Sequence, residues 1–186
     1  MTTPVEVRLA ATVMLVRDGE QGLETFMLKR NPKSEFVPGQ FVFPGGAVDV
    51  KDQITHEIET VSSGMDDAQA SDRLSINNGG LAYWVAAIRE CFEEAGALLA
   101  RIDGEDLSLT DPAVHQRFQD HRDAVYAGDF TMVDLCRAEG LSMNFHDLRY
   151  VSHWITPIGP PRRFDTRFFV ARTPRGQRPA HDGGET

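Results

Sequence analysis

Arg89-Glu90-Cys91-Phe92-Glu93-Glu94-Ala95-Gly96 is the stretch on which the reading of this chain turns. Carboxylates at i, i+3 and i+4 share one helical face, so a helix here gathers Glu90, Glu93 and Glu94 into one acidic cluster. Leu81, Val85, Ile88, Phe92 and Ala95 recur at alternating intervals of four and three residues, the spacing of a core-facing stripe. Such a helix buries one side and presents carboxylates that can hold a hard divalent cation such as Mg²⁺ or Mn²⁺. Glu-rich helix faces are ordinarily solvated surface, so the run acquires meaning only from its context.

That context is Phe41-Val42-Phe43-Pro44-Gly45-Gly46, an apolar, strand-like run halted by Pro-Gly-Gly. Glycines permit backbone conformations and close approaches that a Cβ forbids. Together the two segments resemble the Nudix box, G-x(5)-E-x(7)-R-E-U-x-E-E-x-G-U with U aliphatic. Gly46 takes the first glycine, and Asp52 falls at the first glutamate, with Asp49 as the alternative. Arg89-Glu90 supplies R-E, Cys91 the U position, and Glu93-Glu94, Gly96 and Ala97 the remainder. The chain departs from the pattern in having Asp for Glu, in the small Cys91 and Ala97, and in a much longer interval between the halves. Residues 53–80 are read as an insertion. An excursion that leaves from a loop and returns at the helix start is tolerable, because loop-closure entropy grows slowly with length.

A second stretch, Leu28-Lys29-Arg30 through Gly39 to Phe43-Pro44-Gly45-Gly46, is similar in spacing to the coenzyme-A diphosphatase signature of one Nudix branch. Glu35 stands where that signature has arginine, and Leu28 where it has threonine. The interrupted box, Trp154-Ile155-Thr156-Pro157 and Arg163-Phe164-Asp165-Thr166-Arg167-Phe168-Phe169 look like the acyl-CoA diphosphatase subgroup. The resemblance implies an α/β fold, a Nudix-type α/β/α sandwich with a mixed β-sheet and a helical insertion, as a single domain over residues 1–186. Chains of this kind continue past a His-Asp-Gly-Gly-Glu-Thr-like segment into another strand and a helix. Those two elements are therefore expected to be missing, with Glu185 displaced from a place near the metals, or the domain closes differently.

The same resemblance implies metal-dependent hydrolysis of a pyrophosphate bond. Divalent metals lower the pKa of bound water and neutralise charge on the phosphoryl oxygens. Glu93 and Glu94 are the expected main ligands to Mg²⁺ or Mn²⁺, with a backbone carbonyl of Gly45 or Gly46. Glu90 is either a third ligand or the group that deprotonates water. Arg89 either orients Glu93, four residues on, or contacts phosphate. Arg30, Arg162 and Arg163 are candidate substrate contacts, and Phe36, Phe41, Trp154 and Phe164 stack on an adenine or belong to the core. The implied substrate is a nucleoside diphosphate linked to another group, coenzyme A or an acyl-CoA first. ADP-ribose, a dinucleotide or a nucleotide sugar is the alternative, and a non-catalytic nucleotide-sensing module is the reading from another class.

A chain of 186 residues is one domain's worth of core, and 41% hydrophobic with 25% charged residues is ordinary for a globular protein. The net charge of −9 argues against a basic nucleic-acid or membrane surface. Expected partners are a small nucleotide-containing molecule and, as an alternative to a monomer, a second copy in a homodimer. Cys91 and Cys136 give no disulfide framework, and the six histidines show no ligand spacing. Glu6, Arg8 and Arg17 interrupt the first apolar run, so no secretory signal is expected and the cytoplasm is the default.

Local patterns predict a buried strand over 9–16, its partner over 25–29, and a loop over 31–40. Helices are expected near 55–60 and 66–74 within an insertion read as a solvated excursion or small lid. Asp111-Pro112 opens a helix to about Tyr126, another runs from about Thr131 to Ala138 and stops at Gly140, and strands follow near 149–155 and 167–171.

Overall fold

The computed structural model describes residues 5–32 and 38–180. Glu35, Phe36 and Glu185 lie outside them, as does the 181–186 segment. The chain is laid down around one long strand, β1 (Val7–Gly19), whose Ala11, Val13 and Leu15 are fully buried at every second position, the period of a strand with one covered face. β1 pairs in parallel with β11 (Arg163–Arg172), and β11 in antiparallel with β10 (Leu148–Ile155). On its other side β1 pairs antiparallel with β2 (Gly22–Thr25) and with β5 (Gly45–Ala47). The sheet is therefore mixed, in the order β10-β11-β1-β2 with β5 joined to β1.

Two sequence expectations shift here. The hairpin partner of β1 is Gly22–Thr25 rather than 25–29, because Asp18 and Gly19 pair directly with Leu23 and Gly22. Leu28–Lys29 (β3) instead pairs with Phe41–Val42 (β4) in a separate two-stranded ladder. The run from Phe41 does break before the glycines, at Phe43–Pro44, but Gly45 and Gly46 are not a turn: they open β5 in the main sheet, where Pro44 O accepts from Val13 N at 2.8 Å.

Across the covered face lies α3 (Leu81–Ala95). Its expected stripe is buried, but so are Ala82, Tyr83, Trp84, Ala86 and Ala87. A helix apolar all round belongs inside a protein rather than on it. Trp84, with no exposure, packs its edge on Phe169 at 4.8 Å and donates from Nε1 to Leu148 O.

The segment expected to be a solvated excursion covers the other flank of α3. After a 3₁₀ turn (Val50–Gln53) come α1 (Thr55–Ile58), β6 (Ser62–Ser63) and α2 (Asp67–Leu74). Ile58, Val61, Met65, Ala70 and Leu74 join the main core, so burial of apolar surface, at about 25 cal/mol per Å², holds the segment against the domain. β6 also joins a second sheet of β7 (Ala100–Ile102), β8 (Glu105–Asp106) and β9 (Ser142–Asn144), in the order β6-β9-β7-β8. These strands of two or three residues have no periodicity to read in sequence.

α4 (Pro112–Tyr126) starts at the Asp111 cap, and α5 (Met132–Glu139) has Thr131 and Asp134 in a capping box and stops at Gly140 in the left-handed region. Among the described residues no helix is long and apolar enough to cross a membrane.

Candidate active site

Gly46 and Glu90 meet where β5 crosses α3. Gly46 pairs with Ala11 in the sheet, and a Cβ placed on it would lie 2.5 Å from Glu90 Oε1. Only glycine leaves room for that carboxylate against the strand. One residue earlier, Gly45 N donates to Glu94 Oε2 at 2.8 Å. The two halves of the box, far apart in sequence, thus join through a backbone–carboxylate hydrogen bond and a contact with no side chain between.

Arg89 organises the carboxylates. Nη1 donates to Glu90 Oε1 at 2.9 Å and to Glu93 Oε2 at 2.8 Å. Nε and Nη2 donate to Asp52, at 3.1 Å to Oδ1 and 3.0 Å to Oδ2, a two-pronged pair. Nη2 also donates to Ala47 O at 2.8 Å, tying the helix to β5. Asp52 is 1% exposed and also accepts from Asp49 N at 2.8 Å. Of the two aspartates proposed for the first acidic place in the box, Asp52 is the one that meets Arg89. Asp49 caps the 3₁₀ turn that carries it.

The charges are strongly coupled. Burial, opposed by Arg89 and reinforced by Glu93 and Glu94, pushes the Glu90 carboxyl up to about 8. Burial also raises Asp52, against the pull of the Arg89 hydrogen bonds and charge. Burial works against the Arg89 charge as well, but Asp52, Glu90 and Glu93 hold its pKa above the ordinary value. With Arg89 donors on both of its oxygens and Asp49 N on one, Asp52 is read as the ionised half of a buried ion pair. Burial pushes Cys91 far up, which makes it a core residue and no nucleophile.

The C-terminal end of α3 is held separately. Gly96 closes the helix at φ +64, and Arg122 from α4 donates from Nε to Glu93 O at 2.8 Å. That bond satisfies a carbonyl left without a partner in the last turn.

Glu90 and Glu93, with Arg89 and Asp52, line a cleft of about 380 Å³ whose other side comes from the end of α4 and the start of α5. A larger cleft of about 600 Å³ lies between the β7–β8 hairpin and residues 172–176. None of the expected site residues lines it, and its Arg101 is paired with Asp147 at 2.7 Å. Glu90, Glu93 and Arg89 line the smaller one.

Among the described residues no three His, Cys, Asp or Glu side chains form a ready metal cage. The donor set nevertheless fits a hard cation. The oxygens are carboxylates, Gly46 leaves space beside one of them, and Glu93 and Glu94 add to the burial that raises Glu90, a repulsion that a cation relieves.

The other expected contacts fall elsewhere. Arg30, Arg162 and Arg163 do not line this cleft. Arg30 N bonds Gln40 O, and Arg163 Nε donates to Thr156 O at 3.0 Å. Phe41 and Trp154 are 63% and 69% exposed, so neither is core.

The profile of the NUDT19 Nudix domain matches residues 58–185. The chain belongs to this Nudix family. Its relatives include the acyl-coenzyme A diphosphatase NUDT19 of Xenopus laevis, 30% identical over 177 residues that span 79% of this chain and 46% of that protein. The Homo sapiens protein of the same name is 30% identical over 182 residues, 81% of this chain and 48% of its own length. The chain thus spans about half the length of these curated relatives. The crystal structure of a Nudix hydrolase from Alicyclobacillus acidocaldarius superposes with a TM-score of 0.68 at 29% identity, over 97% of this chain and 76% of that one. The mixed α/β architecture is the Nudix fold. The profile begins inside the 53–80 segment and leaves out Gly45 and Gly46, so the pairing of Gly46 with Glu90 comes from the fold itself.

Proposed function

We propose that the chain hydrolyses the pyrophosphate bond of a nucleoside diphosphate linked to another group, with a divalent metal, Mg²⁺ or Mn²⁺, and with coenzyme A or an acyl-CoA as the first substrate class. The observation that carries this reading is the join of the acidic helix to β5: Glu90 and Glu93 through Arg89, which also bonds Ala47 O, and Glu94 through Gly45 N. The relatives named acyl-coenzyme A diphosphatase support the substrate class.

Glu93 and Glu94 would hold the metal, with Glu90 beside them. Gly45 is favoured over Gly46 for the backbone carbonyl. Its N–H already turns to Glu94, and the two polar groups of one residue in an antiparallel strand lie on the same side. When bound, the metal supplies charge neutralisation for the phosphoryl oxygens and an acidified water. Arg89 is a positioning residue in this reading, because each guanidinium nitrogen is bonded within the protein. The two hydrogen bonds that its Nη1 donates, one to Glu90 and one to Glu93, hold both carboxylates beside the cleft. Glu90 lies against Gly46, and a cation beside it would favour its ionised form, which is the form suited to accept a proton from water.

The experiment is a Mg²⁺ and Mn²⁺ screen over coenzyme A, acyl-CoAs, ADP-ribose, NADH and nucleoside triphosphates, beside Glu93→Gln and Glu94→Gln. Release of a nucleoside monophosphate product that both variants abolish supports the reading. Turnover that survives both substitutions overturns it. Tight nucleotide binding without turnover would instead establish a sensing module.

A further inference from the structure

The larger cleft, about 600 Å³, shares no lining residue with the one at the glutamates. It opens where the two sheets part. The β10–β11 end of the main sheet brings Arg149 and Arg172 to it, the β7–β8 hairpin brings Arg101, Glu105 and Asp106, and the chain leaving β11 brings Arg175.

The two sides are tied together. Gln177 donates from Nε2 to Leu98 O at 3.0 Å and to Leu107 O at 2.9 Å, and its Oε1 accepts from Leu98 N at 2.8 Å. Leu109 N donates to Gly176 O at 3.0 Å. A Cβ on Gly176, which has φ +75, would lie 2.5 Å from Ser108 Oγ, so glycine lets the chain run close to the hairpin's exit.

Charges in this cleft are unevenly matched. Asp147 accepts from Arg101 Nη2 at 2.7 Å. Asp106 accepts from Arg175 N at 3.2 Å, and its other oxygen lies 3.8 Å from Arg101 Nε. Both aspartates thus turn to Arg101 and to backbone, which leaves Glu105 as the remaining carboxylate of the lining. Among the described residues the guanidinium groups of Arg149, Arg172 and Arg175 have neither a hydrogen bond nor an ion pair. Arg149 pairs with Val170 in the sheet and Arg172 follows Val170 by two, so both stand on one face as diagonal neighbours. A chain of net charge −9 has carboxylates to spare, yet it leaves these three cations without one.

A solvated arginine alone calls for no ligand. Three around one concavity suit an anion, because guanidinium forks match phosphate oxygens in two-pronged hydrogen bonds. A volume of about 600 Å³ falls within the span of ligand pockets, about 300–1,000 Å³. Glu105 and the two aspartates repel negative charge on the hairpin side, so the anion belongs on the side of Arg149 and Arg172.

We propose that this cleft is a second site, separate from the one at the glutamates, for a small molecule bearing a phosphate or pyrophosphate group held by Arg149, Arg172 and Arg175. It takes its anion without metal. The carboxylates at Glu90 and Glu93, in contrast, repel an anion until a cation is bound.

That contrast supplies the test. The full chain, freed of metal on a chelating resin, is titrated with inorganic pyrophosphate and followed by calorimetry and by the amide NMR signals of its glycines. Saturable binding is expected, with shifts at Gly104 and Gly176, which line the cleft, and none at Gly45 and Gly46. Arg149→Gln combined with Arg172→Gln should weaken binding by about tenfold or more. Arg137→Gln, at an arginine outside the cleft, should leave it unchanged, and succinate, a dianion without phosphate, should bind more weakly. Shifts confined to Gly45 and Gly46 would place the anion at the glutamates and overturn the proposal. Equal losses in both sets of variants, equal affinity for succinate, or no saturable binding would each overturn it as well.

Discussion

The two ends of α3 are fastened by opposite means. At its start, the inserted segment supplies side chains that cap the helix. Asp67 Oδ2 accepts from Gly79 N and Oδ1 from Leu81 N, both at 3.0 Å, and Ser71 Oγ accepts from Gly80 N at 2.9 Å. Gly80 is obligatory there, since a Cβ would sit 2.2 Å from Ser71 N. Around these caps the helix is wholly apolar. At its other end, three carboxylates crowd one guanidinium, with Gly45 N and Arg122 holding the backbone and Glu94 in place. One end is ordered by neutral burial and caps, the other by buried charge. The first can be altered at modest cost, but the second is a coupled network in which removing one member strands the rest.

The most damaging break in that contrast is Asp52→Ala. It leaves Arg89 half-buried without its two-pronged partner, and loss of about 3–5 kcal/mol of unfolding free energy is expected in urea melts. A loss below about 1 kcal/mol would mean that the ion pair is replaceable by water. Glu93→Gln and Glu94→Gln come next, with kcat reduced by about 10²–10³-fold and a folded protein by circular dichroism. Unaltered kcat in either would remove that side chain from the site.

A pH series sharpens the comparison further. The folded metal-free protein holds a proton on Glu90 up to about 8, whereas an unfolded glutamate loses it near about 4.3. The Glu90 contribution to stability is thus complete below the unfolded value and is lost as pH rises toward about 8, by a few kcal/mol at most. Metal-free melts between those limits should show the decline, and Glu90→Gln should flatten it. Asp134 and Glu139, lowered in the fold, act with the opposite sign, their stability being lost as pH falls. An equal slope in the variant would place the titration elsewhere.

The smallest effect belongs to the capped end. Asp67→Ala should cost about 1–2 kcal/mol of stability, the value of a lost N-cap, with kcat/KM unchanged when assayed below the melting range. A selective fall in kcat at intact stability would show that the two ends communicate, contrary to the contrast drawn here.

Much of this was legible in the chain, and the residues show why. Asp111-Pro112, Thr131 with Asp134, and Gly140 mark helix ends by local chemistry, and the structure places those ends where the residues put them. The acidic run and the stripe from Leu81 to Ala95 declared a helix because both follow its period. The strands of the second sheet were invisible, since Ser62–Ser63 and Glu105–Asp106 carry no alternation. The 53–80 segment reads in sequence as a solvated excursion or small lid, because Ile58, Val61, Met65, Ala70 and Leu74, which join the core, are too scattered to advertise a shared face. Their burial depends on where α3 lies.

The chain by itself determined the Nudix family resemblance, the helix bearing Glu90, Glu93 and Glu94, and the clustering of those three carboxylates on it. Those are properties of residue type and local spacing, which a helix period turns into geometry without help. Only the tertiary structure decided that Asp52 rather than Asp49 meets Arg89, that Gly46 makes room for Glu90, and that the end of α4 and the start of α5 close the cleft beside Glu90 and Glu93. Each of these joins residues remote in sequence, and the sheet pairing and core packing that bring them together are set by the whole fold rather than by any segment of it.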